Sequence, residues 1–131
     1  VIAEFAVVGA GAAVGAVLRY VLDQAVQRRN DSVMPWGTFT VNVIGSLVFG
    51  FLMAGMLAGA VPELVVLAVG TGLCGALTTF STFSYETLRL AESGARVYAL
   101  VNIAVTVLAG LGAAVLGWTA ALAVWPQPSP L

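Results

Sequence analysis

The chain has 131 residues, 60% of them hydrophobic and 8% charged, with a net charge of −1. Soluble domains carry roughly 25% charged residues, so this composition excludes a water-soluble globular domain, and the charge excludes a nucleic-acid partner. His is absent and Cys74 stands alone, which excludes an intrachain disulfide and argues against a transition-metal site.

Apolar runs of about 20 residues read as transmembrane helices. Four are predicted, over residues 2–26, 36–58, 64–90 and 97–125. The expected fold is an all-α membrane protein: one four-helix domain over residues 1–125, then a Pro-rich tail, 126–131, read as disordered. Trp36, Trp118 and Trp125 lie near span ends, as interfacial aromatics do.

The chain begins at Val1, and an initiator Met is expected ahead of it. The first span lacks a basic leading region and a clear cleavage site, and Arg19 and Tyr20 near its end fit a retained helix. Arg19 either snorkels to the interface or serves a watery cavity, where it would attract anions. Gly11 and Gly15 form a small-xxx-small pair, as do Gly55 and Gly59 at the end of the second span; such pairs let helix backbones approach closely. Four short spans leave little room for a pore inside one copy, so a homo-oligomer is expected.

On the second span Thr38, Asn42 and Ser46 recur at i, i+4 and i+8 and form one polar stripe. Tyr98, Asn102 and Thr106 make a matching stripe on the fourth. Either stripe is helix glue or the lining of a narrow path. Both offer N–H and O–H donors, which an anion needs, and neither carries a carboxylate. Glu4, Asp23, Asp31, Glu63, Glu86 and Glu92 all fall near span ends or in loops.

The third span is the most informative. As one straight helix, residues 64–90 would measure roughly 40 Å against about 30 Å of hydrocarbon. Gly70, Gly72 and Gly75 precede Thr78 and Thr79, whose branched side chains are mediocre helix formers. A break near residues 75–79 is expected; the alternatives are tilt and a continuous helix whose hydroxyls bond back to its own carbonyls. A break would expose carbonyls and N–H groups able to hold ions. Phe80 and Phe83 follow at i+3. Such rings ordinarily pack, but beside a polar path their positive edges can touch an anion.

Three stretches resemble the Fluc (CrcB-type) fluoride channel family: Gly11-Ala-Ala-Val-Gly15-Ala-Val-Leu-Arg19-Tyr20, then Trp36-Gly37-Thr38-Phe39-Thr40-Val41-Asn42 with Gly45, then Gly72-Leu-Cys-Gly75-Ala-Leu-Thr78-Thr79-Phe80-Ser81-Thr82-Phe83-Ser84-Tyr85-Glu86. The resemblance covers essentially the whole chain before the tail. It implies a dual-topology homodimer, two copies inserted antiparallel in the cell's inner (plasma) membrane, that exports fluoride passively through two pores at the subunit interface and so gives fluoride resistance. It further implies that Phe80 and Phe83 face the ion with their edges and that Asn42 donates to it. Thr38, Thr79, Ser81 and Thr82 would extend the hydroxyl route, with Asn102 and Thr106 on the fourth span and Gly110 offering no side chain at the next step. Arg19 would serve the vestibule and Glu86 the pore exit. A structural sodium ion at the dimer centre would be held by the main-chain carbonyls of Gly75 and Thr78.

Arg28, Arg29, Arg89 and Arg96 all fall on one side, which favours a single orientation with both termini outside. Dual topology calls for little such bias, so the partner is either a second copy or an oppositely oriented homologue. Neither a nucleotide motif nor a catalytic set is visible, and enzyme activity is not expected. A small drug–proton antiporter also has four spans, but it needs a carboxylate deep in the first one, where Glu4 does not lie. A subunit that merely packs in lipid would use its polar stripes as glue.

Overall fold

Proline and glycine set the ends of the helices. Pro35 and Pro62 immediately precede the second and third spans, where a residue without an N–H leaves no intrahelical bond unmade. Gly59 and Gly94, with φ of 71° and 89°, close the second and third spans in the left-handed conformation that glycine adopts without steric cost. The computed structural model describes residues 1–127, which form helices joined by short loops and, among the described residues, contain no strand. Helix α1 is Ile2–Arg28 and α2 is Trp36–Leu57. Residues 63–77 form α3, residues Ser81–Glu92 form α4, and Arg96–Val124 form α5. Taking α3 and α4 as one span, four segments are long and apolar enough to cross a membrane. Pro126 and Gln127 follow the last helix; the rest of the expected tail lies outside the described residues.

The third span is interrupted where Thr78 turns extended, at φ −76° and ψ 155°. Helix resumes only at Ser81. The expected interval was slightly early, because Gly75 is still helical. The preceding glycines loosen the helix without ending it: Val66–Cys74 is wound as a π-helix, flanked by single α-helical turns at Glu63–Val65 and Gly75–Leu77. With 12 residues, α4 is about 18 Å long and too short to cross the hydrocarbon alone.

Glycine determines which helices touch. Cβ atoms built on Gly11 and Gly15 would run into the carbonyls of Ala68 and Leu73 on α3, and one on Gly72 would lie 2.5 Å from the carbonyl oxygen of Val8. Bare backbones therefore meet across α1 and α3. Gly50 and Gly117 do the same across α2 and α5, against Ala114 and Leu47, a contact the spacing did not single out. The second expected pair is corrected: Gly59 lies in the turn after α2 with open space around it, while Gly55 faces the side chains of Val61 and Trp125. Helix α2 is central, burying Gly37, Thr38, Val41, Gly45, Gly50, Leu52, Ala54 and Gly55. On α1 only Gly15 is buried.

Gly15→Val is expected to force α1 off α3, since its Cβ would sit 2.9 Å from the backbone carbon of Leu73. Overpacking costs about 1–3 kcal/mol, and falls at the upper end where the atom met is rigid backbone. A thermal melt in detergent checks this, and an unchanged melting point would show that the helices do not approach so closely.

Candidate functional site at the helix break

The break leaves backbone groups that a continuous helix would have paired. Asn42, one helix away, takes over. Its Oδ1 accepts the Thr79 N–H at 2.8 Å and its Nδ2 donates to the Thr79 carbonyl at 3.1 Å. The amide thus pairs with both backbone polar groups of Thr79, as a neighbouring strand would, and one of its two N–H bonds stays free. Thr79 in turn caps α4: its Oγ1 accepts the Thr82 N–H at 3.2 Å and donates to Thr82 Oγ1 at 3.1 Å. Ser81 Oγ lies 3.4 Å from the same hydroxyl. Thr78 bonds back to the Cys74 carbonyl at 2.8 Å.

Two helix ends of opposite polarity therefore meet at the break. The N-terminus of α4 presents N–H groups and the positive end of its dipole, and the C-terminus of α3 presents carbonyls. In an unbroken helix the Gly75 and Thr78 carbonyls would accept from the N–H groups of Thr79 and Thr82. Those donors are bonded to Asn42 and to Thr79 Oγ1 instead.

Next to the break, Asn42, Ser46, Thr78, Thr79, Phe80, Phe83, Thr106 and Val107 line an open groove of about 300 Å³. The two rings lie 6.0 Å apart between centroids, tilted by 45°. Phe80 is 80% exposed in the single chain. A second groove, of about 430 Å³, shares Ser46 and Thr78 with the first and is further lined by Gly45, Phe49, Gly70, Thr71, Cys74 and Gly75.

Towards the arginine-rich end, the Thr38 hydroxyl donates to Glu86 Oε1 and ties α2 to α4. Glu86 also lines a cavity of about 260 Å³ with Gln27, Tyr85, Arg89 and Ser93.

A family model described as "CrcB-like protein, Camphor Resistance (CrcB)" matches residues 6–118, which take in the break, both grooves and Glu86. The chain belongs to the CrcB family. A relative from Frankia casuarinae named "Fluoride-specific ion channel FluC 1" is 62% identical, over 88% of this chain and 94% of its own. Another of that name, from Streptomyces avermitilis, is 59% identical over the same shares. The relative from Methanocaldococcus jannaschii, "Fluoride-specific ion channel FluC", is 42% identical over 95% of this chain and 98% of its own. Each is named as an ion channel and none as an enzyme. Membership in CrcB together with four apolar helices long enough to span makes this a multi-pass membrane protein.

In this CrcB chain the structure brings Asn42, Thr79, Phe80, Phe83 and Thr106 to one groove. Thr38 and Glu86 are joined by a hydrogen bond outside that groove. Ser81 and Thr82 are exposed on the first turn of α4, bonded to Thr79. Asn102 is 2% exposed and occupied: its Nδ2 donates to Thr87 Oγ1 at 2.9 Å, and its Oδ1 accepts from Thr106 at 3.3 Å. Thr106 thus turns its proton away from the groove. Arg19 is half-buried on α1, joined to the cluster by no hydrogen bond among the described residues.

Three contributors were not singled out from the sequence. Thr87 accepts from Asn102 and donates to the Phe83 carbonyl at 2.8 Å, fixing α4 on α5; its spacing of i+4 from Phe83 was the available signal. Gln27 Oε1 accepts the Gly37 N–H at 3.1 Å. Asp23 occupies the space a Gly37 Cβ would need. Nothing in the sequence pairs residues so far apart in the chain.

Proposed function

We propose that the chain is a fluoride-selective channel that lets fluoride leave the cell passively across the plasma membrane. The observation carrying this reading is the groove itself: an amide, hydroxyls and two phenyl rings gathered at a helix break, in a chain 62% identical to a protein named as a fluoride-specific channel. Fluoride holds its water strongly, so a path must replace that shell with donors and weakly positive edges, each binding loosely enough to release the ion. The free N–H of Asn42, the N-terminal turn of α4 with Ser81 and Thr82, and the edges of Phe80 and Phe83 supply such contacts in succession. Thr38, whose proton goes to Glu86, marks the exit together with that carboxylate, and Arg19 serves the vestibule.

The pore closes only when a second copy covers it. In one chain the groove is open and Phe80 is exposed. An antiparallel partner, a second copy or an oppositely oriented homologue, would enclose two such paths, one along each α4. The carbonyls of Gly75 and Thr78, whose helical donors are diverted to Asn42 and Thr79, are oxygen ligands suited to a hard cation such as sodium. Two copies would contribute four of these oxygens, and the ion would neutralise the two facing helix C-termini.

The test is fluoride efflux from liposomes holding the purified protein, read with a fluoride electrode beside a chloride-loaded control. Fast fluoride release without chloride release is expected. Folded protein that releases neither, or both alike, overturns the reading. Vesicles prepared with a large organic cation in place of sodium on both faces should lose flux; unchanged flux would remove the sodium ion from the proposal.

A further inference from the structure

Ser46 lies one turn beyond Asn42 on α2 and lines both grooves at their junction. Its hydroxyl faces α5 at a particular gap. Along α5, Asn102, Thr106 and Gly110 recur at i, i+4 and i+8, and Gly110 contributes no side chain. A Cβ built at Gly110 would lie 3.7 Å from Ser46 Oγ. The place where the α5 stripe runs out is therefore the place where α2 puts a hydroxyl.

That hydroxyl is also uncommitted. Thr40, Thr78, Thr87 and Thr119 all donate back to the carbonyl four residues earlier, the usual resting place of a hydroxyl on an apolar helix. Thr106 spends its proton on Asn102. Among the described residues Ser46 Oγ makes no hydrogen bond, and it is not sealed from the groove, since no fully buried side-chain polar atom lacks a partner. A half-buried free donor at membrane depth, beside an aromatic pair and an amide, suits an anion that must be held by O–H groups in place of water.

We infer that Ser46 is a fluoride-contacting donor of the pore, supplying from α2 the hydroxyl that the α5 stripe lacks at Gly110. The inference rests on the channel reading above. The geometry makes it testable from both sides of the gap, because a Cβ at position 110 meets Ser46 only at ordinary contact distance.

The experiment compares fluoride efflux from liposomes holding the wild type, S46A, S46A/G110S and S46A/G110A, each checked for folding by gel filtration. S46A is expected to be about tenfold slower, the scale of one lost charge-assisted hydrogen bond. S46A/G110S should recover to within about threefold of the wild type, since the hydroxyl returns from the opposite wall, and S46A/G110A should stay slow. Wild-type efflux from S46A, or equal rescue by Ala and Ser at position 110, would reduce Ser46 to packing and overturn the inference. Should S46A fail gel filtration, S46C keeps the volume with a weaker donor and should conduct at an intermediate rate; a full rate overturns the inference. A wild type that releases no fluoride refutes the channel reading itself, which is distinct from a conducting wild type with an equally fast S46A.

Discussion

Phe80→Ile and Phe83→Ile should each stop fluoride flux while leaving the proposed dimer assembled. Isoleucine keeps most of the bulk and apolar surface but has no ring edge. Ring-edge contacts between aromatic side chains are worth about 0.5–1.5 kcal/mol, and an ion contact of that scale would account for about tenfold from each ring. The loss in a path stripped of water should be larger, because electrostatic terms grow as the local dielectric falls. Phe80 is 80% exposed in the single chain, so its replacement leaves the helix bundle intact. Phe83 is half-buried, with its carbonyl fixed by Thr87, and Ile there should cost little stability. Efflux and gel filtration of each variant decide the matter. Full flux in either one refutes the ring-edge role, and a lost dimer would show that the rings pack.

Asn42→Ala should have the second large effect, with a readout at the break itself. Both Asn42 hydrogen bonds go to the Thr79 peptide, and Thr79 is buried. Removing them strands a peptide N–H and carbonyl away from water, at about 1–3 kcal/mol each. Residues 78–80 should then fray, with amide exchange at Thr79 accelerating by about tenfold to a thousandfold. Flux should fall with it, because in the proposed channel the same amide offers its free N–H to the ion and also holds the α4 N-terminus in line. Both bonds lie within one chain, so the proposed dimer should persist. A dissociated dimer with unchanged exchange at Thr79 would make Asn42 glue between subunits, the other reading its spacing allowed.

The reach of the sequence differs from element to element. The four spans were legible because membrane insertion is a matter of summed apolarity along 20 or so residues, which needs no tertiary knowledge. The break was legible to within about three residues, since glycines and branched threonines weaken a helix locally. Its position was decided elsewhere: Asn42 pairs with Thr79 and not with a residue nearer Gly75. Gly70 and Gly72 signal a weakened helix there, but not that Val66–Cys74 is wound as a π-helix.

Glycine pairs illustrate the same boundary. Gly11 and Gly15 met the backbone of α3, whereas Gly55 and Gly59, equally spaced, did not meet a helix backbone. Spacing places two glycines on one face; only the neighbouring helix determines whether that face is approached. The sequence by itself determined that this is a four-span α-helical membrane protein with a weakened third span and hydroxyl- and amide-bearing stripes free of carboxylates. Only the tertiary structure decided which polar atoms are spent on hydrogen bonds and which stay free. Asn102 and Thr106 satisfy each other, Thr79 is consumed in capping α4, and Ser46 faces the gap at Gly110 with its proton free. Hydrogen bonds between distant residues are matters of a few tenths of an ångström, and a one-dimensional pattern fixes the face of a helix but not the atom opposite it.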